Sequence, residues 1–350
     1  MERKQVNPAP KKSTRRIVYI DILRTIAILA VIMLHCISDH FVSTSLYGSP
    51  AWHAVNVLNT LTRMGVPIFF MISGYLLISD TRETTLRKYF SRRLPKILIP
   101  FIIWNVIYFI YNAKMYGGVL DPIDFIYRFV TMDISYHFWF VYTLLCLYLI
   151  VPVIKPFFNR ATNTQLLYVL IISTFPTTIG PIFNKFSGVW LFRFEPLFLG
   201  YFGFIVLGYM LGRMTLSRRA RLLIYLAGII GACASIFGTI YLSSPDSIDT
   251  FFNSGYGISP YCVGAAMFVL VRQIGEKVTS VRVHKMFSTF GKLSFGVYLS
   301  HVIVMDILHR FTDFSHISTA VIFYFIATSV ICFVLAFVIS KIKILRDILI

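Results

Sequence analysis

The sequence predicts an all-α polytopic transmembrane helix bundle of about ten spanning helices with both termini cytoplasmic. Three observations predict it: an apolar composition too rich for a soluble core, apolar runs of spanning length, and basic residues gathered in alternate connections. Of the 350 residues, 57% are hydrophobic and 14% are charged, and the mean hydropathy is +0.74. Single hydrophobic cores stop growing at about 250–300 residues, so a soluble chain of this composition has nowhere to hide its apolar surface. Lipid must be the solvent for most of it. The formal net charge of +18 invites a nucleic-acid partner, but the placement of the charge excludes one. Lysine and arginine fall in short clusters between long apolar runs, which is how a membrane protein marks its cytoplasmic side.

A spanning helix needs roughly 20 apolar residues to cross about 30 Å of hydrocarbon. Ten runs meet or approach that length: 17–38, 55–79, 94–111, 137–154, 165–183, 196–212, 222–242, 258–271, 293–308 and 319–339. They are far too long for strands. The fifth contains Pro176 and Pro181 and is open to a break, and the eighth is short. With the N-terminus inside, the inner segments, counting Lys96 at the inner end of the third run, hold 26 lysines and arginines and the outer connections 5, while Arg24 and Arg63 fall within helices and complete the 33. The asymmetry keeps both termini cytoplasmic. Residues 1–16 are basic, contain Pro8 and Pro10, and read as a disordered cytoplasmic tail. The first run lacks a small-residue cleavage site and is longer than a signal peptide's apolar region, so it is expected to be retained.

The five cysteines, Cys36, Cys146, Cys233, Cys262 and Cys332, fall in or at the ends of the expected helices without the paired spacing of a zinc or redox site. They read as small apolar residues, and no metal is expected. With no appended soluble domain, fixed-period repeat or Gly-rich phosphate loop in evidence, the chemistry falls to polar groups inside the membrane. Those are costly and are functional candidates by default. The first run carries Asp21, Arg24 and His35. Arg24 and His35 are eleven residues apart, which at about 100° per residue returns to nearly the same face roughly 16 Å along the axis. The second run carries Asn56, Asn59 and Arg63 on one stripe, and Pro67 should loosen its backbone ladder. Blander readings compete: Asp21 and Arg24 near a helix end as a snorkelling local pair, and His35 as a simple bond to a neighbouring helix. Arg63, about two turns into an apolar segment, is harder to dismiss. The 33 phenylalanines and 20 tyrosines are mostly lipid contact and interfacial belt.

The run Tyr19-Ile20-Asp21-Ile22-Leu23-Arg24 followed by His35, and the run Arg63-Met64-Gly65-Val66-Pro67-Ile68-Phe69-Phe70-Met71-Ile72-Ser73-Gly74-Tyr75, resemble the first two helices of the membrane acyltransferase-3 family. His137-Phe138-Trp139-Phe140 with Pro152, Gly208-Tyr209-Met210-Leu211-Gly212-Arg213, and Leu293-Ser294-Phe295-Gly296-Val297-Tyr298-Leu299-Ser300-His301 continue the resemblance in order along the chain. It implies a transmembrane acyltransferase domain over 17–350. It also implies a cytoplasmic acyl donor, acetyl-CoA or another acyl-CoA, and a hydroxyl of a cell-surface or lipid-linked glycan as acceptor. The setting is the cytoplasmic (inner) membrane of a bacterium, with membrane lipid and no nucleic acid as partner. Many family members carry an extra extracellular hydrolase-like domain that these residues lack, so the acyl group is expected to pass directly to the acceptor or to another protein.

The resemblance implies that His35 is catalytic and that Arg24 and Arg63 take part. A hydroxyl attacks a thioester only as a base removes its proton, and the developing oxyanion needs a cation, for which Arg63 is available. Arg24, with Asp21 beside it at the cytoplasmic end, suits the phosphates of coenzyme A. Asn59, His137, Tyr298 and His301 are assigned to acceptor binding, the last two lying about one turn apart. A transporter or exporter of glycan or lipid-linked intermediates is the rival reading and predicts repeat symmetry between halves, which the sequence does not display. A non-catalytic scaffold has no need of His35 and Arg63 together inside the bilayer. Reporter fusions or cysteine accessibility are expected to place residues 81–93 in the cytoplasm and 243–257 outside. An external 81–93 would overturn the topology.

Overall fold

The computed structural model describes residues 17–80, 85–189, 197–314 and 316–350. The basic tail expected over 1–16 lies outside them. Among the described residues fourteen α-helices follow in order: α1 (Val18–Val42), α2 (Pro50–Thr62), α3 (Gly65–Ile78), α4 (Leu86–Arg93), α5 (Pro95–Tyr116), α6 (Pro122–Val130), α7 (Trp139–Arg160), α8 (Asn163–Ser187), α9 (Leu197–Arg213), α10 (Arg218–Leu242), α11 (Ile258–Lys277), α12 (Val281–Phe311), α13 (Ile317–Lys341) and α14 (Lys343–Leu349). The chain is an all-α polytopic bundle. Among the described residues, nine spans are long and apolar enough to cross a membrane. The sixth expected segment, 196–212, holds α9, which the structure describes from Leu197 onward.

The second expected span is interrupted. α2 ends at Thr62, Arg63 caps it by donating its N–H to the Asn59 carbonyl, and α3 begins at Gly65. Pro67 explains the place of the break: it has no N–H to donate to the carbonyl of residue 63, four positions back, and its ring crowds that carbonyl. The loosening expected at the proline therefore appears one turn earlier, at Arg63. The fifth expected span behaves in the opposite way. α8 runs unbroken through Pro176 and Pro181, correcting the expected break. In this stretch Thr174, Thr177 and Thr178 return their hydroxyls to carbonyls one turn back, the kind of local polar support that lets prolines stand in spanning helices. α11 runs to Lys277, so the eighth span is longer than the sequence suggests.

α1 is the axis of the molecule. It packs against α2, α3, α11, α12 and α13, and α1 and α12 are the most buried spans. By contrast α8 and α10 present apolar faces outward, with Ile171, Phe175, Leu223 and Phe237 exposed, as lipid-facing helices should. Short helices lie at the ends of the spans. α4 carries Arg87, Lys88, Arg92 and Arg93, with Arg93 paired to Asp80. α6 is capped by Asp121, whose carboxylate accepts from the Ile123 N–H at 3.1 Å.

In lipid, helices associate through close packing rather than apolar burial, and small residues permit it. α3 and α9 cross where Gly74 meets the backbone of Ile205 and Gly208 meets the backbone of Met71; a Cβ at either position would collide with a carbonyl. Gly208→Leu is expected to cost about 1–3 kcal/mol or more through overpacking. Fluorescence-detected size exclusion in detergent, with a thermal ramp, should show an early-melting or aggregated protein. An unchanged midpoint would mean that the two helices do not cross as closely as this.

Candidate functional site

Three histidines from distant parts of the chain meet in the middle of the bundle. His35 comes from the last two turns of α1, His137 from the 3-10 turn Tyr136–Phe138 ahead of α7, and His301 from α12. The ring centroids of His35 and His301 are 5.1 Å apart, as are those of His301 and His137. Tyr136 lies edge-on to His35 at 5.3 Å and Tyr298 lies 5.5 Å from His137. His137 and His301 are buried, and His35 is half-buried.

Each ring is held by a bond. A carbonyl only accepts, so His301 Nδ1 carries the proton that it donates to the Tyr298 carbonyl at 2.6 Å. Its Nε2 is buried without a partner, as is Nε2 of His137. His137 Nδ1 meets the Ser135 hydroxyl at 2.8 Å, and Tyr136 places its hydroxyl 3.4 Å from His35 Nδ1. The Tyr298 hydroxyl donates to the His137 carbonyl. Tyr108 donates to the Leu299 carbonyl at 3.1 Å and accepts from the Ile303 N–H at 3.2 Å. These bonds join α5, α7 and α12 around the histidines. Among the described residues no group of three His, Cys, Asp or Glu is arranged to hold a metal ion.

Two cavities approach this cluster from opposite ends of α1. One of about 930 Å³ reaches His35 and Tyr136. Its charged wall is acidic, with Asp39, Asp133, Asp306 and Asp313, and among the described residues no lysine or arginine lines it. Asp306 accepts hydrogen bonds from Tyr111 and Tyr116 and from Arg310 Nε at 3.2 Å. The other cavity, about 900 Å³, reaches Tyr298 from the side of Asp21 and Arg24, and its charged wall also holds Lys96 and Lys292. Arg24 lies 3.9 Å from Asp21, which is buried. Arg24 and His35 therefore serve different cavities, in keeping with their separation along one helix.

Of the residues singled out in the sequence, His35, His137, Tyr298 and His301 come together, and Asp21 and Arg24 sit together at the other end. Arg63 and Asn59 line neither of these two cavities. Arg63, at the break between α2 and α3, lines a third cavity of about 690 Å³ bounded by α8, α10 and residues 250–259. Gly65, two residues on, lets α3 close onto the backbone of α1 at Ala27. Asn59 is fully buried and donates to Asn253 at 2.7 Å, which in turn donates to Thr239 at 2.8 Å. That chain of bonds braces the 243–257 connection against α2 and α10. Tyr136 and Tyr108 were not singled out; Tyr136 was open to view as the residue preceding His137 in its motif.

A buried polar cluster inside a multi-pass bundle, with a cavity on each side, is the candidate site. A family model described as an acyltransferase domain matches residues 17–341, and the chain belongs to the membrane acyltransferase-3 family. The protein is a membrane acyltransferase. It is 26% identical over 314 residues to the probable poly-beta-1,6-N-acetyl-D-glucosamine export protein of Staphylococcus aureus strain Mu50, a match covering 83% of this chain and 81% of that one. The protein of the same description from strain MSSA476 is 27% identical over the same span and coverage. No solved structure matches the chain significantly.

Tyr298→Phe removes one of the two bonds to the His137 carbonyl, which keeps the Trp139 N–H as donor, a loss of about 0.5–1.5 kcal/mol. A lowered unfolding midpoint in detergent, with the protein still monodisperse, is the expected result. An unchanged midpoint would show that the clasp contributes nothing.

Proposed function

We propose that the protein is an O-acyltransferase, in the first place an O-acetyltransferase, of the bacterial cytoplasmic membrane. It takes its acyl group from cytoplasmic acyl-CoA and gives it to a hydroxyl of a lipid-linked or cell-surface glycan. The observation that carries this reading is the opposition of the two cavities across the histidine cluster. A basic cavity with Arg24, Lys96 and Lys292 suits a polyanionic donor. An acidic cavity rich in tyrosines suits a neutral or cationic sugar, whose hydroxyls donate to carboxylates and whose faces lie on aromatic rings.

In this reading the donor's thioester arm rises from the Arg24 end to Tyr298 and His301, and the acceptor descends to His35. His35 takes the proton of the acceptor hydroxyl as its oxygen bonds to the acyl carbon. The carbon–sulfur bond breaks, and the proton passes to the departing thiolate of coenzyme A. Asp21 holds Arg24 on the donor. His137, Tyr298 and His301 line the meeting point, Arg63 supplies positive charge to the developing oxyanion, and Asn59 supports the acceptor side through the connection it braces. The stretches 55–77 and 136–152 resemble those of an enterobacterial common antigen O-acetyltransferase, which is consistent with a glycan acceptor.

A second reading, export of a glycan, is favoured by the similarity to the Staphylococcus aureus proteins described as probable exporters. A polymer conduit needs a continuous passage, and here packed rings and the Tyr298 clasp stand between the two cavities. Mass spectrometry of surface glycans from cells with and without the gene separates the two. Loss of acyl groups from glycan that still reaches the surface supports transfer; loss of surface glycan with acylation unchanged supports export.

His35→Ala is expected to lower acyl transfer by about 10²–10⁴-fold, the contribution of a general base, while insertion and acyl-CoA binding persist. Arg24→Ala is expected to weaken acyl-CoA binding to the purified protein, with Arg24→Lys recovering only part, because lysine keeps the charge but not the forked donors. Near-normal glycan acylation by His35→Ala at wild-type expression would defeat the first assignment. Undiminished acyl-CoA binding by Arg24→Ala would defeat the second and leave Asp21–Arg24 as a structural pair.

A further inference from the structure

The Arg24 end of the bundle holds a second cavity, of about 710 Å³, between α5, α12 and the C-terminal residues. Lys96 and Lys292 line both this cavity and the one that reaches Arg24, so the two adjoin across a wall of two ammonium groups. The remaining charged residues are Lys341, Arg346 and Asp347, with hydroxyls from Thr289 and Ser340 nearby. Cations therefore outnumber the single side-chain carboxylate. The Lys341 ammonium rests over the Phe337 ring, 4.5 Å from its centroid. Asp347 accepts from Arg346 Nε at 3.0 Å, which leaves the terminal nitrogens of the guanidinium for another acceptor.

α14 is fixed in place, although the transfer chemistry uses none of its residues. Trp104 donates its indole N–H to the Leu349 carbonyl at 3.1 Å, and Ile350 packs so closely on α12 that a Cβ at Gly296 would come within 3.0 Å of it. A cytoplasmic excess of basic residues needs no such docking to orient a bundle. A docked helix that completes a cationic cavity beside the donor cavity is the arrangement a long ligand with a phosphorylated end requires.

We propose that this cavity seats the 3′-phosphorylated nucleotide end of the acyl-CoA, with Lys341 and Arg346 on the 3′-phosphate and Lys96 and Lys292 on the pyrophosphate that leads into the Arg24 cavity. The proposal rests on acyl-CoA being the donor. The same phosphate chemistry is offered by the headgroup of an anionic lipid, and the test separates the two sources.

The full-length protein in phosphatidylcholine nanodiscs is titrated with acetyl-CoA and with acetyl-3′-dephospho-CoA. The wild type is expected to prefer acetyl-CoA by about 10- to 100-fold, the scale of one or two charge-assisted hydrogen bonds. Lys341→Gln/Arg346→Gln should lose that preference while binding the dephospho ligand as the wild type does, and Lys341→Arg/Arg346→Lys should keep most of it. Wild type that binds both ligands equally overturns the nucleotide seat and leaves the donor assignment standing. Wild type that binds neither overturns the donor assignment and the seat together. Retention of the preference by the glutamine variant places the phosphate elsewhere. If phosphatidylglycerol in the nanodisc abolishes the preference in the wild type but not in the glutamine variant, the cavity is a lipid headgroup site instead.

Discussion

An ionisable side chain inside hydrocarbon must be met by protein, because lipid offers neither charge nor hydrogen bonds. α1 carries Asp21, Arg24 and His35 along its length, and the rest of the bundle follows from enclosing it. Five helices close around α1, and lipid-facing duty falls to α8 and α10. α3 closes on the backbone of α1 at Gly65, and α12 closes beside Asp21 at Gly291. The same enclosure sets His35 against His301 and, through it, His137. Stability and site construction are one problem here, solved by the same contacts.

The spans were legible in the sequence because hydropathy over about 20 residues is a strong signal that tertiary contacts seldom override. The irregularities were less so. Pro67 announces a defect, but the defect falls on the carbonyl of residue 63, and only the three-dimensional path shows that the break leaves Arg63 facing a cavity of its own. Pro176 and Pro181 announce a defect that does not occur. Asn59 shows how a polar stripe can mislead: spacing placed it with Arg63, yet its amide is spent on Asn253, a partner 194 residues away that no periodicity points to. The gathering of His35, His137 and His301 depends on pairing α1, α7 and α12, and spacing within one helix is silent about partners between helices. The motifs made these residues visible singly, and the fold supplies their contact.

The site also departs from the way many soluble enzymes gather donor and acceptor in one cleft. Here an acidic and a basic cavity stand on opposite sides of a thin layer of rings. An anionic ligand is attracted to one and repelled by the other, so each compartment's molecules are sorted by charge before any specific contact forms. On the proposed reading the transfer runs from the end of α1 that carries arginine to the end that carries histidine.

The layer of rings has a consequence beyond the acyl group. A cell membrane holds a proton gradient, and a bundle hollowed from both faces is a potential leak, all the more so with imidazoles at its centre. The ring of His35 lies tilted to that of His301, and that of His137 lies edge-on to it; with the Tyr298 clasp they insulate the membrane at the very point where the protein thins it.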